Sequence, residues 1–324
     1  MRVLVIGGAG YIGSHVTLAL LDAGCEVTVF DNFSTGVEAN LFDDAGLVRG
    51  DILDAEMLNG TMAEGWDAVI HLAALKAAGE SMLQPERYAV NNITGTITVL
   101  NAMARANVST LVFSSSAAVY GEPHYLPLDE EHPTSPENFY GFTKLEIERL
   151  MGWYGKLRGI RFASLRYFNA AGYDPDGRVL GLERNPANLL PVILEVVVGR
   201  REELRIFGDD YPTDDGTCIR DYVHVTDLAD AHVKAMEYIR REGESLIVNL
   251  GSGRGYSVTE MVETARKVTG HEVPAAVTGR RPGDPARLVA SSELAAKKLE
   301  WRTEHSSPEE LIRTTWEAYR RNGG

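Results

Sequence analysis

The sequence has few cysteines and no long hydrophobic run. Only two of the 324 residues are cysteine, Cys25 and Cys218, so a disulfide scaffold is excluded and a reducing compartment is expected. No run approaches the ~20 apolar residues of a membrane span. Residues 1–6 hold one basic side chain and a short apolar stretch that leads directly into glycines, which is unlike a signal peptide. We therefore predict a cytoplasmic protein with no membrane partner.

Basic residues are scarce relative to acidic ones. Lys and Arg together number 32, Asp and Glu 46, and the net charge is −14 with neutral histidines. This balance argues against nucleic acid and anionic membrane surfaces as partners, because both attract basic patches. An anionic substrate would need a local cationic pocket. The eight histidines show no metal-ligand spacing, so no metal site is expected.

The first half of the chain alternates short apolar runs with longer amphipathic stretches. The predicted strands are residues 3–6, 26–30, 47–49, 68–71, 110–114 and 162–166, and the predicted helices are residues 12–23, 55–63, 88–106 and 140–157. This rhythm predicts an α/β fold with a Rossmann-like, doubly wound parallel sheet covered on both faces. Strands that are apolar throughout, such as residues 3–6, suit a sheet that is buried on both sides.

The second half has a different composition. Residues 169–220 are rich in Gly, Pro, Asn and Asp, which is typical of loops and turns. The predicted elements here are helices near 191–198, 225–240, 258–269 and 308–319, and a strand at 245–250. With about 150 residues per domain as a guide, we predict a dinucleotide-binding domain at residues 1–168, to which residues 222–250 return. Residues 169–324 would mainly form a smaller, mixed α/β substrate-binding lobe.

The first predicted strand leads into a glycine-rich loop. Gly7, Gly10 and Gly13 are spaced Gly-x-x-Gly-x-x-Gly and are followed by a predicted helix. Small residues let the backbone turn tightly and approach a pyrophosphate at the helix N-terminus, where free N–H groups and the helix dipole favour anions. A purely structural glycine turn is the alternative. The position between a strand and a helix favours a dinucleotide site.

Acidic residues follow the next two strands. Asp31 ends the second predicted strand, 18 residues after Gly13, where a carboxylate hydrogen-bonds a ribose 2′-hydroxyl and repels a 2′-phosphate. NAD is therefore favoured over NADP, with a solvated strand-end carboxylate as the alternative. Asn32 and the turn Phe33-Ser34-Thr35-Gly36 would continue this site. Asp51, after the third strand, is a candidate acceptor for the adenine amino group.

Two polar motifs suggest the chemistry. Tyr140 and Lys144 share one face of a predicted helix, where an ammonium would stabilise a phenolate and lower the tyrosine pKa toward neutrality. Ser114-Ser115-Ser116 closes a strand 24 residues upstream, at the sheet edge where ligands bind. We choose Ser116 as the hydroxyl that hydrogen-bonds a substrate oxygen. A helix surface pair and a polar strand exit are the alternatives, but the joint occurrence with the glycine loop and Asp31 favours catalysis.

Longer stretches identify a family. The Tyr-x-x-x-Lys is typical of a broad superfamily, whereas residues 75–81 (Leu-Lys-Ala-Ala-Gly-Glu-Ser) and 210–217 (Asp-Tyr-Pro-Thr-Asp-Asp-Gly-Thr) are much more specific, and residues 7–15 and 31–32 also match. Further matching stretches are residues 71–74, 91–96, 114–117, 165–169 and 220–225. On these motifs the chain resembles, over essentially its whole length, the extended short-chain dehydrogenase/reductases and, within them, the UDP-glucose 4-epimerases.

The resemblance implies NAD-dependent interconversion of UDP-glucose and UDP-galactose through a transient 4-keto-sugar, with NAD retained between turnovers. Tyr140 would act as the base on the sugar 4-hydroxyl, with Ser116 bridging the proton and Lys144 beside them. The implied NAD contacts are Gly7, Gly10, Tyr11, Ile12, Gly13, Asp31, Asn32, Phe33, Ser34, Thr35, Gly36, Asp51, Ile52, Leu72, Ala73, Ala74, Leu75, Lys76, Asn91, Ser114, Tyr140, Lys144 and Phe168. The implied substrate contacts are Lys76, Ser116, Tyr140, Asn169, Asn188, Leu189, Arg205, Ile206, Phe207, Arg220, Leu288 and the segment from Arg281 to Asp284.

Some of these positions leave alternatives open. Arg220 and Arg281 suit a diphosphate, because a guanidinium binds it bidentately, but each could be an ordinary salt-bridge partner. Lys76 could be a cation near the pyrophosphate or a solvated loop lysine. Ala118 stands where the family often has threonine, so one polar contact to the sugar is missing. Leu288 falls where the family varies between a large aromatic and small residues, so acceptance of a 2-N-acetyl group stays open.

Other functions compete with this interpretation. A 4-epimerase of a UDP-N-acetylhexosamine, UDP-pentose or UDP-uronate is the nearest. A 4,6-dehydratase is disfavoured, because such enzymes resemble this chain but have an Asp-Glu pair where it has Ala117-Ala118. A non-catalytic NAD-binding module would commonly lack the tyrosine or the lysine. The family is usually homodimeric through two helices per subunit, here residues 88–106 and 140–157.

Overall fold

The computed structural model describes residues 1–184, 186–281 and 283–322. Its strands, in chain order, are β1 (Arg2–Ile6), β2 (Glu26–Asp31), β3 (Gly46–Arg49), β4 (Ala68–His71), β5 (Thr110–Ser114), β6 (Arg161–Tyr167), β7 (Asn169–Ala171), β8 (Leu204–Phe207), β9 (Ile219–His224), β10 (Leu246–Leu250), β11 (Gly255–Ser257), β12 (Ala275–Thr278) and β13 (Arg287–Leu288). Its helices are α1 (Tyr11–Asp22), α2 (Ala55–Met62), α3 (Ala78–Ser81), α4 (Pro85–Tyr88), α5 (Gly95–Ala106), α6 (Phe139–Arg158), α7 (Leu189–Val197), α8 (Val225–Glu242), α9 (Val258–Thr269), α10 (Glu293–Leu299) and α11 (Pro308–Arg321).

Seven parallel strands form the main sheet of the described chain, in the order β10-β6-β5-β4-β1-β2-β3. The strand order reverses between β1 and β4, and ligands of such sheets bind outside the carboxyl ends of the strands at that point. The predicted doubly wound parallel α/β fold is therefore confirmed. None of the described helices is both long and apolar enough to cross a membrane.

Helices cover both faces of this sheet. Because successive side chains of a strand point to opposite faces, Val3 and Val5 of β1 pack into one hydrophobic cluster, and Leu4 and Ile6 pack into another. The first cluster includes side chains of α1 and α8, and the second includes side chains of α2, α5 and α6. Full burial of each such side chain contributes about 1.5–3 kcal/mol, so the alternation along β1 fixes the sheet between two helical layers.

The smaller lobe has its own mixed sheets. β11 pairs antiparallel with β9, whereas β7 and β13 pair parallel with β9, and β12 pairs parallel with β8. Side chains of α7, α9 and α11 form a separate core that includes Leu194, Met261 and Leu311. β10 pairs with β6 in the main sheet. This pairing supports our division of the chain, in which residues 222–250 return to the first domain, and that division stays a proposal.

The helix predicted at residues 88–106 differs from the observed one. The helical stretch begins at Pro85 and contains a π-helical segment, Ala89–Thr94, between α4 and α5. Proline is favoured in the first helical turn because its missing N–H would have no partner there. Single π turns concentrate at functional sites. The extra residue turns Asn92 inward, where its side-chain amide bonds to the main chain of Leu75.

Candidate active site

The glycine loop fills the turn between β1 and α1. Gly7 has a φ of +88°, and a Cβ there would lie 2.6 Å from the Ala73 backbone nitrogen. A Cβ at Gly13 would lie 2.1 Å from the Gly7 carbonyl oxygen. Gly10 begins α1 without a side-chain cap, and the first turn has no acidic residue, so its N–H groups and dipole are available to an anion. The loop therefore has the shape and polarity that a pyrophosphate needs.

Asp31 ties the end of β2 to this loop. Its Oδ2 accepts a hydrogen bond from the Ala9 N–H at 3.0 Å, and its Oδ1 accepts one from the Phe33 N–H at 2.8 Å. Burial raises the pKa of the Asp31 carboxyl above its usual value, and these two backbone hydrogen bonds only partly offset the rise. Each carboxylate oxygen can accept a further hydrogen bond. Nearby, Asn32 donates to Asp51 Oδ2 at 2.9 Å, which joins the ends of β2 and β3.

Asn92 holds the segment that follows β4, residues 72–76. Its Oδ1 accepts from the Leu75 N–H at 2.9 Å, and its Nδ2 donates to the Leu75 carbonyl at 3.0 Å and to Thr143 Oγ1 on α6 at 3.1 Å. The neighbouring Asn91, a predicted NAD contact, donates from Nδ2 to Asn92 Oδ1 at 2.9 Å. Sequence reasoning did not assign this role to Asn92, whose only signal was its position in a matching stretch.

Residues 172–183, here called the crossing segment, join the second lobe to the glycine loop. The Gly172 carbonyl accepts from the Tyr11 hydroxyl at 2.6 Å, and the Asp174 N–H donates to His15 Nε2 at 3.0 Å. The Gly181 N–H donates at 2.9 Å to Asn40 Oδ1, and the Asn40 amide in turn donates to the Ala9 carbonyl. Lys76 forms an ion pair with Glu183, the last residue of the crossing segment. Lys76 is thus a paired, half-exposed lysine at this crossing.

Tyr140 and Lys144 lie on one face of α6, as the spacing predicts. Lys144 Nζ is 5.8 Å from the centre of the Tyr140 ring and 4.7 Å from that of Phe113, and it donates to the Ser114 carbonyl at 2.7 Å. Burial lowers the pKa of Lys144 to about 7, while the charge of Glu148 opposes that lowering. Ser114 Oγ hydrogen-bonds with the Tyr167 hydroxyl at 2.7 Å.

The pKa of Tyr140 differs from the predicted one. We expected Lys144 to lower it, but burial raises the pKa of Tyr140 to about 12, and the neighbouring Ser116 hydroxyl only partly offsets this. The prediction is therefore wrong for the chain alone. The free energy needed to remove the phenolate from water exceeds the attraction between the phenolate and the Lys144 ammonium at this distance. The ammonium is instead directed to the Ser114 carbonyl.

Two elements fix the N-terminus of α6, where Tyr140 lies. Asn138 caps the helix by accepting from the Gly141 N–H at 2.9 Å, and Ser81 Oγ accepts from the Tyr140 N–H at 3.0 Å. A Cβ at Gly141 would lie 2.3 Å from the Ala118 carbonyl oxygen, so α6 approaches the exit of the serine strand closely. Ser81 belongs to the specific stretch at residues 75–81, and sequence reasoning gave it no role.

The second lobe contains a cavity of about 880 Å³. Most of the predicted substrate contacts line it: Asn169, Asn188, Leu189, Arg205, Ile206, Phe207, Arg220, Arg281 and Asp284. Of the other predicted contacts, Lys76 lies in the segment after β4, Ser116 follows β5, and Tyr140 lies in the first turn of α6. Leu288 and Phe168 each pack against the small hydrophobic cluster of Ala117, Val119, Tyr120, Leu128 and Leu145. Pro282, inside the predicted segment from Arg281 to Asp284, lies outside the described residues.

Four arginines and three acidic residues line the cavity, so its lining has a small net positive charge in an acidic protein. Arg220 Nη2 donates to Asp284 Oδ1 at 2.9 Å, so the salt-bridge alternative holds for this residue in the structure. The Arg281 guanidinium lies 3.7 Å from the centre of the Phe207 ring. Asn188 begins α7 with no side-chain cap, which leaves the positive end of that helix at the cavity. This arrangement suits an anionic ligand with a planar group.

No group of three or more His, Cys, Asp or Glu side chains that could hold a metal ion is found in residues 1–184, 186–281 and 283–322. The four histidines whose pKa burial lowers, His15, His71, His224 and His232, all have hydrogen-bond partners within the fold. His71 Nε2 contacts Thr96 Oγ1 at 3.0 Å and His232 Nδ1 contacts the Leu228 carbonyl at 2.7 Å. His15 and His224 are likewise hydrogen-bonded. Their chemistry in the structure is that of packed, neutral imidazoles.

Known proteins are similar to this chain in sequence and fold. Residues 3–251 match the sequence model of the NAD dependent epimerase/dehydratase family. A UDP-glucose 4-epimerase of Halalkalibacterium halodurans is 48% identical over 318 residues, which cover 98% of this chain and 95% of that protein. A crystal structure of UDP-glucose 4-epimerase from Brucella ovis in complex with NAD has a TM-score of 0.95 and 44% identity, and the match covers 98% of each chain.

A UDP-glucose 4-epimerase from Bifidobacterium longum, in complex with NAD⁺ and UDP, matches with a TM-score of 0.93 and 38% identity over 100% of each chain. The resemblance predicted from the motifs is thus confirmed, and the family description and both complexes agree with the predicted cofactor, NAD. With most of its length matched by the family model and nearly half of its residues shared with one relative, the chain belongs to the NAD dependent epimerase/dehydratase family.

Proposed function

We propose that this protein is a UDP-glucose 4-epimerase that interconverts UDP-glucose and UDP-galactose with retained NAD. The observation that carries the proposal is the adjacency of Tyr140, Lys144 and Ser116, where the start of α6 meets the exit of the serine strand. The arginine-lined cavity of the second lobe supplies a separate site for the nucleotide. The names of the relatives at 48% and 44% identity support the same activity.

The glycine loop, the end of β2 and residues 72–76 border a crevice, and the residues of this crevice fit NAD. The glycine loop excludes side chains at Gly7 and Gly13 and leaves the α1 N-terminus to a pyrophosphate. Asp31 keeps acceptor capacity for ribose hydroxyls at the end of β2. When bound, NAD supplies a nicotinamide ring that takes up a hydride and gives it back. Residues 72–76, held by Asn92, border the same crevice.

Side chains of the protein carry out the proton transfer. The Tyr140 phenolate takes the proton of the sugar 4-hydroxyl, and the Ser116 hydroxyl bridges the two oxygens. The positive charge of Lys144 would act against the burial that raises the pKa of Tyr140, so this lysine must stay protonated during turnover. After the 4-keto-sugar presents its other face, Tyr140 returns the proton to the same oxygen. The cycle then ends with the tyrosine in its starting state.

The cavity of the second lobe would bind the UDP moiety. A volume of about 880 Å³ accommodates a nucleoside diphosphate. Arg220 and Arg281 would bind the diphosphate, because a guanidinium matches two phosphate oxygens, and the N-terminus of α7 would add its dipole. In doing so, Arg220 exchanges Asp284 for phosphate. Leu288 and Phe168 would border the sugar, since they pack against the cluster that includes Ala117, which follows the serine strand.

The experiment is a mixture of purified protein with UDP-galactose and no added cofactor, resolved by proton NMR. Appearance of UDP-glucose would establish the reaction and the retained NAD together. A companion sample with UDP-N-acetylglucosamine reports whether the space beside Leu288 admits a 2-N-acetyl group. If neither sugar changes even with NAD supplied, the proposal fails, and pentose or uronate nucleotide sugars become the substrates to examine.

The protein would act as a homodimer. α6 exposes Trp153 and Leu157, which are 60% and 66% exposed, and the helical stretch before α5 exposes Val90 at 50%. Tyr154 of α6 donates to Asn101 of α5 at 2.8 Å, so the two helices lie side by side. Such an apolar face suits a two-fold partner that presents the same helices.

Light scattering tests this dimer. The wild-type protein is expected at twice the chain mass of 35.5 kDa, and Trp153→Glu is expected to shift it to the single-chain mass, because a buried charge would face its own copy. Val277→Glu is the control, since Val277 is 53% exposed on β12 of the other lobe. A wild-type protein at the single-chain mass would exclude the dimer.

A cytoplasmic location is part of the same proposal. Cys25 and Cys218 are free thiols in the structure, as expected of a protein from a reducing compartment. Cys25 packs in the core of the main sheet. Cys218 lines the cavity of the second lobe. A tagged protein that fractionates with membranes or outside the cell would contradict this location.

A further inference from the structure

A buried polar network lies between α6 and the serine strand. Its centre is Glu148, one helical turn after Lys144 and only 5% exposed. Glu148 Oε1 accepts from Ser115 Oγ at 2.6 Å, Ser164 Oγ at 3.0 Å and Arg166 Nε at 3.0 Å. Its Oε2 accepts from Arg166 Nη2 at 2.6 Å. Both carboxylate oxygens are therefore engaged, and no water is needed to satisfy them.

The network continues from Arg166 to the far edge of the main sheet. Arg166 Nη1 donates to the Tyr120 hydroxyl at 3.0 Å, and that hydroxyl donates to Asn249 Oδ1 on β10 at 2.6 Å. The Asn249 N–H donates to Glu130 Oε1 at 2.6 Å. The Arg166 guanidinium, which is bonded to both Glu148 and Tyr120, thus fixes the position of the Glu148 carboxylate.

Glu148 reaches the catalytic groups along two routes. Along α6, it lies on the same face as Lys144, four residues away. Across to the strand, it binds Ser115, which lies between Ser114 and Ser116, and the Ser114 carbonyl accepts the Lys144 ammonium at 2.7 Å. Glu148 therefore holds the strand exit with its serines against the helix that carries Tyr140 and Lys144.

The stability of the fold alone does not explain the buried ion pair between Glu148 and Arg166. A buried ion pair costs much of its Coulomb energy in desolvation, and apolar residues of similar volume often serve the fold as well or better. What an apolar replacement cannot supply is a negative charge beside Lys144. The position of the charge, one turn below the ammonium and behind the serines, indicates a role in the reaction.

Among the described residues, several titratable groups face Lys144 or its neighbours. On β4, burial and the Lys144 charge lower the pKa of His71 to about 3, so this imidazole is neutral. On α6, burial raises the pKa of Tyr140 to about 12. On β6, Tyr167 is also a neutral phenol, and Arg166 is positive. Glu148 is the carboxylate that faces the ammonium in this set.

We propose that Glu148 is a positioning residue for the epimerase reaction, which fixes Ser115 and Ser116 against α6 and keeps the Lys144 ammonium charged. Arg166 acts through Glu148 by fixing its carboxylate. This inference rests on the proposed function and deepens it, because it names the group that opposes the loss of the Lys144 proton in a buried site. Burial lowers the pKa of Lys144 to about 7 even with Glu148 opposing it. Loss of the carboxylate charge would lower that pKa further and leave less charged lysine at neutral pH.

The first test is Glu148→Gln, which keeps the shape and removes the charge. We expect kcat with UDP-galactose at neutral pH to fall by about tenfold or more, with KM changed by less than about twofold. The alkaline limb of the kcat profile should move to lower pH by about one unit, because Lys144 loses its proton earlier. Ser164→Ala is the matched control: it removes one hydrogen bond from Oε1 but keeps the charge, so the limb should not move.

A second variant guards against misfolding. Glu148→Gln leaves Arg166 charged and unpaired, which is strongly destabilising in a core. The double variant Glu148→Gln/Arg166→Met removes both charges. We expect it to fold, with a cooperative thermal transition and NAD content like the wild type, and still to show the fall in kcat and the shifted limb. Glu148→Asp, which keeps the charge, should keep the limb near its wild-type position.

The pKa of Lys144 can also be measured without turnover. The chain has seven lysines, so NMR of ¹³Cε-labelled lysine, assigned with Lys144→Met, follows this ammonium directly. We expect its pKa to fall by about half a unit or more in Glu148→Gln. This readout stands even if the wild-type protein converts no UDP-galactose, which would defeat the proposed function alone. An unchanged Lys144 pKa in a folded Glu148→Gln protein, or wild-type kcat and pH profile, would overturn the inference.

Discussion

The crevice beside the glycine loop and the cavity of the second lobe are built in different ways. In the crevice, the backbone determines the shape: Gly7 adopts a positive φ, and a side chain at Gly13 would overlap the Gly7 carbonyl. In the cavity, side chains from separate segments determine the shape, and Arg220 is engaged with Asp284. The first site is complete before a ligand arrives, whereas the second must exchange internal contacts for contacts with its ligand.

This difference bears on how the two ligands would be held. A site that needs no reorganisation keeps more of its binding energy, which suits a cofactor that stays bound. A site that breaks an ion pair on binding returns part of that energy when the ligand leaves, which suits a substrate and a product that must exchange. Variants that damage one site and spare the other test this comparison.

The largest effect is expected at Tyr140, between the two sites. Tyr140→Phe removes the proton acceptor and leaves both binding sites intact, so kcat should fall by about 10²–10⁴-fold. NAD content, read after acid release, should stay at the wild-type level. Tyr154→Phe on the same helix is the control, because the Tyr154 hydroxyl bonds to Asn101 on α5. Turnover of Tyr140→Phe within tenfold of the wild type would contradict the assigned role.

The next largest effect is expected in the crevice. Gly13→Ala forces a Cβ against the Gly7 carbonyl, so we expect loss of bound NAD and destabilisation by about 1–3 kcal/mol. Gly60→Ala is the matched control. Gly60 lies in α2 with open space around it, and alanine there should stabilise the helix by up to about 1 kcal/mol with NAD retained. Full NAD content in Gly13→Ala would show that the loop is not the cofactor cradle.

Acid should weaken the link between α1 and the crossing segment. His15 Nδ1 contacts the Tyr11 carbonyl and Nε2 accepts from the Asp174 N–H, and burial lowers the pKa of His15 to about 4. Below the unfolded pKa of about 6.5, the unfolded chain binds a proton that the folded chain does not, so stability falls as pH falls from 6.5 toward 4.

Between pH 7 and pH 5 this histidine accounts for about 2 kcal/mol of lost stability. His15→Gln, which keeps a donor and an acceptor, should lose that much less over the same interval in urea unfolding. His271→Gln serves as the control, because His271 is exposed. An identical pH dependence in His15→Gln and the wild type would refute the assignment.

The smallest effect is expected in the cavity. Arg220→Met should raise KM for UDP-galactose by about tenfold, equal to about 1.4 kcal/mol, while kcat changes by less than about twofold. Arg280→Met is the control, since Arg280 pairs with Asp210 outside the cavity lining. If the two variants had the same KM, Arg220 would be a structural ion-pair partner only. NAD content should be unchanged in both, which separates the cavity from the crevice.

Much of the main sheet could be predicted, because each strand is a continuous apolar run between turn residues. The strands of the second lobe, β7 to β9 and β11 to β13, were not predicted, since most of them have only two to four residues and all of them gain their partners only in the folded lobe. The π turn at Ala89–Thr94 was missed for a related reason: it depends on Asn92 reaching Leu75, seventeen residues away.

The site residues also divide into those that the sequence predicts and those that only the fold reveals. The glycine loop, Asp31 and the Tyr140–Lys144 pair could be predicted from sequence spacing, because each motif is placed by the strand or helix in which it lies or which it adjoins. Ser81 and Glu148 act through partners that only the fold brings close, as in the Ser81 contact to the Tyr140 N–H and the Glu148 pair with Arg166. The raised pKa of Tyr140 was not predictable either, because desolvation depends on tertiary packing.

The crossing segment has a consequence for exchange kinetics. It is tied to α1 through Tyr11 and His15, to the loop before β3 through Asn40, and to the segment after β4 through the Lys76–Glu183 pair. A dinucleotide bordered by these elements would leave only when several contacts open together, so its residence time would be set by local unfolding. Labelled NAD should therefore exchange far more slowly than the sugar turns over. The reaction would then be insulated from the NAD to NADH ratio of the surrounding solution.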